Sequence, residues 1–381
     1  MAYFDNAATT YPKPEAVYAF MDAFYRASGG NAGRGQSAQA QTTGRLTHET
    51  RARLQKLFHA PAKQVIFAPT ATIALNMILQ GLARKGARTF YLSPFEHNAV
   101  TRTLYALKQS AGCETKMLTV RPDLVFDEAA IEAQFRAKKP DVLVLTHASN
   151  VFGLIAPAAS LFRLAKRYGA VTVLDMSQTA GLVDFDGGLT TVDFLVFAGH
   201  KTLYGPTGIA GFLMKPEFVL PAVLFGGTGY ASASQEMPEE LPEHLECGTL
   251  NTVGIAGLYA ALGWIEETGI GNIWAREQEH RQRLLALLAR YPFVEVVGNV
   301  PGRDYVGIVS FRLAGISSDS AGGIFAERGI ACRTGLDCAP LAHRFLGTFP
   351  AGTVRLSVSY FTSEADFAAL AAALDDIGEA L

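Results

Sequence analysis

Short apolar runs alternate with longer amphipathic stretches over the first two-thirds of the chain. The runs are rich in β-branched and aromatic residues, which favours strands, and the longer stretches repeat apolar residues with helical spacing. Strands are predicted over 65–68, 89–93, 141–146, 171–175, 194–198 and 211–214, and helices over 42–59, 71–83 and 157–168. This alternation indicates an α/β fold with a doubly wound, mainly parallel sheet that binds ligands at the carboxyl ends of its strands.

The pattern changes after about residue 255, where helices and strands no longer alternate regularly. Helices are predicted over 270–291, 318–328 and 363–374, and strands over 294–297, 306–313 and 353–360. A chain of 381 residues is also long for a single core. We therefore expect a large α/β domain over 14–255 and a smaller α+β domain formed by 1–13 and 256–381, with a mobile surface loop over 226–245.

Composition narrows the classes of protein that the chain can be. A net charge of −2 without a Lys or Arg cluster disfavours nucleic-acid binding, and the lack of a long uninterrupted apolar run disfavours membrane insertion. The first residues do not resemble a secretory signal, so we expect a cytoplasmic protein. Cys113, Cys247, Cys332 and Cys338 are too few and too widely spaced for a disulfide framework, and their spacing disfavours a zinc site.

Two strand ends carry the first candidate chemistry. Asp175 ends one apolar strand, and Lys201 follows the next one directly after Gly199-His200. Taken alone, Asp175 is more simply a helix cap and Lys201 a lysine that extends to solvent. Together, an acid and a lysine at neighbouring strand ends predict a pyridoxal 5′-phosphate (PLP) site. There the lysine forms an imine with the cofactor and the carboxylate keeps the pyridine nitrogen protonated.

A phosphate site is expected where the strand over 65–68 leads into the helix over 71–83. The first amides of a helix have no intrahelical acceptor and suit an anion, so Ala71 and Thr72 are candidate phosphate ligands. Ordinary N-capping by Thr70 or Thr72 is the alternative. The glycines over 226–229 do not form a dinucleotide-binding motif.

These segments resemble the class V aminotransferase family. The likeness rests on the opening D-N-A-A-T-T over 5–10, on Asp175 with Gln178, and on G-H-K over 199–201 with Y-G-P over 204–206. The segment R-T-G-L-D-C-A over 333–339 is similar to the active-site cysteine segment of group II cysteine desulfurases, which include selenocysteine lyases. The resemblance covers nearly the whole chain and implies the type I fold of PLP-dependent transferases.

The resemblance also implies roles around the cofactor. His97 would stack on its ring and help to move protons, Asn150 and Gln178 would lie near its phenolic oxygen, and His200 would contact its phosphate. Thr249 would reach the phosphate of a neighbouring subunit, which implies a homodimer with shared sites. Read without the family, His97 is a satisfied histidine and Asn150 a turn residue.

For the substrate, the resemblance implies that Arg355 holds the α-carboxylate and that Asn150 lies beside it. We also expect Arg333 among the substrate-binding residues. Cys338 would take sulfur from L-cysteine as a persulfide after Lys201 removes a proton, and Arg333 would lower the pKa of the Cys338 thiol. The other three cysteines are expected to be packing residues. A sulfur-acceptor protein is the expected partner. L-selenocysteine is the nearest alternative substrate, and transamination, simple C–S elimination or a non-catalytic sulfur-carrier scaffold are the other readings.

Three positions and the length of one turn depart from the family pattern. Ala198 replaces a phosphate-binding serine, Ala71 replaces a threonine and Gly33 replaces a histidine, and the turn after Lys201 is one residue longer. None of these changes removes a group that the chemistry requires. They indicate a divergent subfamily.

Overall fold

The structure is a computed structural model that describes residues 1–30, 35–230 and 232–380, so Gly33 lies outside the described residues. The strands are β1 Ala2–Tyr3, β2 Gln64–Ala68, β3 Thr89–Leu92, β4 Glu114–Met117, β5 Val142–Thr146, β6 Val171–Asp175, β7 Phe194–Ala198, β8 Ala210–Met214, β9 Val294–Val297, β10 Ile308–Leu313, β11 Ile330–Ala331, β12 Arg333–Gly335 and β13 Thr353–Ser357. The helices are α1 Glu15–Ser28, α2 Ala38–Leu57, α3 Ala71–Arg84, α4 Asn98–Ala111, α5 Glu128–Ala137, α6 Ala158–Arg167, α7 Thr252–Thr268, α8 Ile270–Leu288, α9 Ser318–Glu327, α10 Pro340–Phe345 and α11 Glu364–Ala380.

Within the described residues, seven strands form the central sheet in the order β2-β8-β7-β6-β5-β3-β4. All pairs are parallel except those of β8, which runs against both β2 and β7. Successive residues of a strand enter opposite cores: Val142 and Val144 pack in one apolar cluster, Leu143 and Leu145 in the other. Because both faces are covered, these strands are continuous apolar runs. The predicted doubly wound, mainly parallel α/β sheet is confirmed.

A second sheet has the order β12-β13-β10-β9 and is antiparallel throughout. Its core includes Phe311, Leu356 and Phe325 and is closed by α9 and α11. The first strand belongs to this end of the molecule, because Ala2 pairs with Ile330 in a parallel ladder. The division into domains at 14–255 stays a prediction.

Several predicted bounds differ from the structure. The strands β6 and β7 have the predicted bounds, whereas β13 ends at Ser357 instead of residue 360, and α8 ends at Leu288 instead of residue 291. The polar edge strand β4 and the helix α4 were not predicted from the sequence. Ala231 is not described, and the described residues of 226–245 form no helix or strand.

Candidate active site

The carboxyl ends of β5, β6 and β7 bring the acid and the lysine to one edge of the sheet. Thr146 pairs with Asp175, and Asp175 pairs with Val196, two residues before the end of β7. Asp175 is only 4% exposed. One of its oxygens, Oδ1, accepts from the amide of Ser177 at 2.9 Å and from its hydroxyl at 2.5 Å. These two hydrogen bonds offset part of the cost of burying the carboxylate.

Lys201 lies in a tight turn after β7. The amide of Gly205 donates to the carbonyl of Gly199 at 2.8 Å, and the amide of Tyr204 donates to that of Lys201 at 2.8 Å. A Cβ at Gly205 would lie 2.8 Å from the Gly199 oxygen, so the closure requires glycine. Tyr204 has φ 57°, and its buried hydroxyl accepts from the amide of Tyr360 at 3.0 Å. The turn is therefore held in one conformation from both ends.

The environment of Lys201 makes its amine more reactive than that of a surface lysine. Burial lowers the pKa of Lys201 from 10.5 to about 8, while the nearby Asp175 carboxylate acts in the opposite direction. A pKa near 8 leaves a useful fraction of neutral amine at physiological pH. Such an amine can form an imine with an aldehyde or act as a general base.

The N-terminal segment is clamped onto the same turn. The hydroxyls of Thr9 and Thr10 donate to the carbonyls of His200 and Lys201 at 3.1 and 2.8 Å. Lys13 Nζ donates to the His200 carbonyl at 2.7 Å, and burial lowers the pKa of Lys13 to about 7. This contact was missed at the sequence level, because nothing in the local pattern around Lys13 points to a residue 187 positions away.

The N-terminal segment also contacts Gln178 and the second sheet. Gln178 Nε2 donates to the carbonyl of Ala7 at 2.9 Å, which leaves its second N–H for another acceptor. Asn6 Nδ2 donates to the carbonyl of Ser357 at 2.7 Å, and the Ser357 hydroxyl accepts from the amide of Ala7 at 2.8 Å. The D-N-A-A-T-T motif thus links β13 to the Lys201 turn.

His97 is the N-cap of α4. Its Nδ1 accepts from the amide of Ala99 at 3.0 Å, so the proton of the neutral ring is on Nε2. Burial and the charge of Lys201 lower the pKa of His97 to about 4. A neutral, fixed imidazole beside Lys201 suits stacking on a ring. Its role in handling protons stays a prediction.

The start of α3 and the end of β7 are separated by one strand. Ala68 and Ala198 both pair with Ala210 of β8, and two strand spacings place them about 10 Å apart. Thr70 is the N-cap of α3, because its Oγ1 accepts from the amide of Ile73 at 3.2 Å. The amides of the following two residues, Ala71 and Thr72, have no intrahelical acceptor.

His200 provides a further reason to expect an anion at this edge. Its Nδ1 is buried and has no hydrogen-bond partner among the described residues. Burial, Lys201 and Lys13 lower the pKa of His200 to about 4. This edge of the sheet offers the groups that bind a phosphorylated pyridine aldehyde. The helix amides and the buried ring nitrogen suit its phosphate, the amine of lowered pKa suits its aldehyde, and the buried carboxylate suits its ring nitrogen. The residues present therefore fit PLP.

Thr249 is exposed and lines a cavity of about 130 Å³ together with Pro69 and Gly208. It lies beside the strand that leads into α3, at the end of the sheet where β2 pairs with β8. Whether it reaches a neighbouring subunit stays a prediction.

Arg355, on β13, is 3% exposed and surrounded by oxygen atoms. Nη2 donates to Asp5 Oδ1 at 3.0 Å, Nη1 donates to the carbonyl of Asn150 at 2.8 Å, and Nη1 lies 3.2 Å from Asp337 Oδ1. Its buried Nε has no partner among the described residues. Burial raises the pKa of Asp337 to about 6, against the lowering effect of Arg355. Asp5 and Asp337 had no role in the sequence prediction.

Cys338 is exposed at the tip of the turn that joins β12 to α10. Asp337 and Cys338 have φ values of 47° and 55°, so two successive side chains adopt the left-handed conformation. Three contacts hold this turn: Asn150 Nδ2 donates to the Asp337 carbonyl at 2.6 Å, the amide of Asn98 donates to the Cys338 carbonyl at 2.7 Å, and Asp337 faces Arg355. The thiol is presented to solvent by a strained but well-anchored backbone.

Cys332 and Arg333, which precede Cys338 in the chain, have different surroundings. Arg333 points towards Asp5, with 3.5 Å between Nη2 and Oδ2. Its binding of substrate and its influence on the Cys338 thiol stay predictions. Cys332 is half-buried, and burial together with Asp5 and Asp337 raises its pKa to about 12. The thiol of Cys332 is therefore protonated at neutral pH and a poor nucleophile.

The described residues contain neither a candidate metal site nor a candidate membrane span. No group of three or more His, Cys, Asp and Glu side chains there could hold a metal ion. Among the same residues, no helix is both long and apolar enough to cross a membrane.

The chain is similar in sequence and in structure to several known proteins. A cysteine desulfurase of Thermococcus onnurineus NA1 has a similar structure, with a TM-score of 0.90 and 27% identity over 100% of this chain and 95% of that one. A cysteine desulfurase of Escherichia coli O127:H6 is 30% identical over 89% of this chain and 84% of its own length. A probable cysteine desulfurase of Xylella fastidiosa 9a5c is 28% identical over 98% and 90%. The aminotransferase class-V model matches residues 2–370, and the chain belongs to that family.

Proposed function

We propose that this protein is a PLP-dependent cysteine desulfurase that moves the sulfur of L-cysteine onto Cys338 and releases L-alanine. The proposal is carried by one observation: exposed Cys338 directly follows Asp337, whose carboxylate lies 3.2 Å from buried Arg355. Asp337 therefore contacts the proposed cation for the substrate carboxylate and is followed in the chain by the proposed nucleophile. The named relatives support the same activity.

Lys201, Asp175, His200 and the amides of Ala71 and Thr72 would hold the cofactor. When bound, PLP supplies an electron-accepting ring that stabilises negative charge on the substrate carbon next to the amino group. Asp175 would maintain positive charge at the ring nitrogen. His97 would stack on the ring.

The remaining steps belong to this chain's own side chains. Arg355 would bind the carboxylate of L-cysteine beside Asn150. The Nζ of Lys201 would take the Cα proton, a role that suits a pKa near 8. The Cys338 thiolate would then attack the substrate sulfur, so that the substrate Cβ–S bond breaks with its electron pair left on carbon, and a new S–S bond forms. Cβ and Cα would each take up a proton, L-alanine would leave, and Cys338 would carry one additional sulfur.

The proposal includes the wider arrangement of the protein. Residues 14–255 would form the large domain, and 1–13 with 256–381 the small one. Thr249 would complete the phosphate site of a second copy in a homodimer. Four free cysteines are consistent with a reducing compartment, for which we propose the cytoplasm, and a sulfur-acceptor protein would regenerate the Cys338 thiol.

A single-turnover reaction of the cofactor-loaded enzyme with L-cysteine tests the proposal. We expect one alanine per active site, together with one extra sulfur atom on the Cys338 peptide by mass spectrometry. Pyruvate and free sulfide with an unmodified Cys338 would instead identify a C–S lyase. Turnover of L-selenocysteine alone would identify a selenocysteine lyase.

A further inference from the structure

A groove of about 690 Å³ opens beside the Cys338 thiol on the outer surface of the molecule. One wall is the turn that carries Cys338, and the other is a face of α4. We call this surface the α4 groove and define it by Asn98, Arg102, Tyr105, Lys108, Met117 and Cys338. Lys201, Asn150 and Arg355 are not among the residues that line it.

The α4 groove has a defined start and a defined length. The amide of Asn98 donates to the carbonyl of Cys338 at 2.7 Å, which fixes the backbone of Cys338 beside the first residue of the helix. At 1.5 Å per helical residue, Arg102 lies about 6 Å and Lys108 about 15 Å further along the axis. An extended chain covers about 15 Å with five residues. The groove therefore matches a short extended peptide segment.

The lining is cationic and partly apolar. Tyr105 is 67% exposed and Met117 is 37% exposed. Arg102 and Lys108 are exposed, and neither forms an ion pair or hydrogen bond within the described ranges. Asp337 is the one acid in the lining, and its carboxylate faces Arg355 in the interior. The charges thus complement an occupant that carries carboxylates.

We propose that the α4 groove docks an extended acidic segment of a sulfur-accepting protein. The acceptor cysteine would lie at Cys338, with one carboxylate about two residues away at Arg102 and another about four residues away at Lys108. Tyr105 and Met117 would contact the backbone and apolar atoms between them. This inference rests on the proposed function, because it names the partner of the same thiol.

The transfer at this site is a thiol exchange without net oxidation. The acceptor thiolate attacks the outer sulfur of the Cys338 persulfide, and the bond between that sulfur and Cys338 breaks. Cys338 leaves as a thiolate and takes up the proton that the acceptor thiol lost. The acceptor now carries the persulfide.

Docking can be measured without L-cysteine turnover. The probe is a seven-residue peptide whose cysteine is a mixed disulfide with thionitrobenzoate and whose glutamates lie two and four residues after it. Cys338 of the full-length protein displaces thionitrobenzoate, and Cys338→Ser gives the background from other cysteines. We expect the acidic peptide to react about tenfold faster at low salt than the same peptide with glutamines. The advantage should disappear at high salt and in Arg102→Glu and Lys108→Glu.

Lys139→Glu is the matched control, because it makes the same charge change at an exposed lysine near the opposite, amino-terminal end of β5. Equal rates for the two peptides, or an equal loss in Lys139→Glu, would overturn the proposal. An equally fast mixed disulfide of glutathione would also overturn it, in favour of a small thiol acceptor. A further outcome is that the acidic peptide reacts selectively even though L-cysteine leaves no extra sulfur on Cys338. That result would reject the desulfurase activity and leave the docking proposal standing.

Discussion

The guanidinium of Arg355 lies 3.2 Å from the carboxylate of Asp337, the residue immediately before Cys338. Its other terminal nitrogen is bonded to Asp5. Two protein carboxylates therefore already contact the guanidinium that is proposed to bind the substrate. A substrate carboxylate that binds Arg355 must replace at least one of them. Because Asp337 and Cys338 share one strained turn, this exchange would act directly on the position of the thiol.

Asp337→Asn is expected to lower the KM for L-cysteine. Asparagine tolerates the left-handed backbone of this position, so the turn should persist. Loss of the negative charge removes a competitor for Arg355, and we expect a KM up to about tenfold lower, with kcat unchanged or reduced. Steady-state alanine production measures both constants.

The control for this substitution is Asp22→Asn, which removes an exposed acid that pairs with Arg26 on α1. Its KM should match that of the unmodified enzyme. An unchanged KM in Asp337→Asn would mean that Asp337 does not compete with the substrate for Arg355.

Cys338→Ser should abolish sulfur transfer while the cofactor remains bound. The serine hydroxyl is a far weaker nucleophile, and we expect alanine production to fall by at least about a hundredfold. Cys332→Ser is the control and should retain activity, because that thiol is protonated and half-buried. The reverse order of activities would assign the nucleophile to Cys332.

Loading of the cofactor should depend on the protonation of Lys201. Only the neutral amine reacts with an aldehyde, and burial lowers the pKa of Lys201 to about 8. The rate at which PLP binds covalently to cofactor-free protein should therefore rise with pH and level off above about pH 8.5. Stopped-flow absorbance follows this reaction, and Lys201→Ala should show no covalent loading. A rate that still rises above pH 10 would indicate an ordinary lysine.

Glu277→Gln should stabilise the protein at alkaline pH. Glu277 is buried, accepts from the amide of Gly307 at 2.9 Å, and has a pKa raised by burial from 4.5 to about 8. The folded protein holds a proton that the unfolded chain releases above about pH 4.5. The contribution of this proton to the free energy of unfolding is complete below pH 4.5 and is lost as pH rises through 8. Glutamine keeps the acceptor and has no charge to bury.

Melting temperatures from pH 5 to 9 test this assignment. The variant and the unmodified protein should melt similarly near pH 5, and the variant should melt higher at pH 9. Glu279→Gln, on the exposed side of the same helix, should show no such divergence. A constant loss of stability at every pH would mean that the carboxyl group itself is required at this position.

The elements nearest the cofactor site were the most predictable. The strands β6 and β7 are buried on both faces, so their apolar runs have clear ends at Asp175 and Ala198. The strand β4 was not predicted, because its sequence E-T-K-M is polar and at most half-buried, and among the described strands it pairs with β3 alone. The helix α4 begins with an unusual histidine cap, which gives no standard start signal.

The side-chain partners in the site could not be predicted from local patterns. Arg355 was identified as a carboxylate-binding residue, but its contacts with Asp5 and Asp337 depend on how β13, β12 and the N-terminal segment meet. The left-handed conformation of Asp337 and Cys338 has no sequence signal either, since neither residue is glycine. Such features arise from packing between distant parts of the chain.

The N-terminal segment that clamps the Lys201 turn also constrains the order of events during synthesis. Thr9 and Thr10 bind the turn, but their own segment is held by Ser357 through Asn6 and by the pairing of β1 with β11. A ribosome makes these anchoring residues after those of the central sheet. The central sheet can form while the chain is still growing, whereas the enclosed cofactor site must wait until Ser357 has emerged.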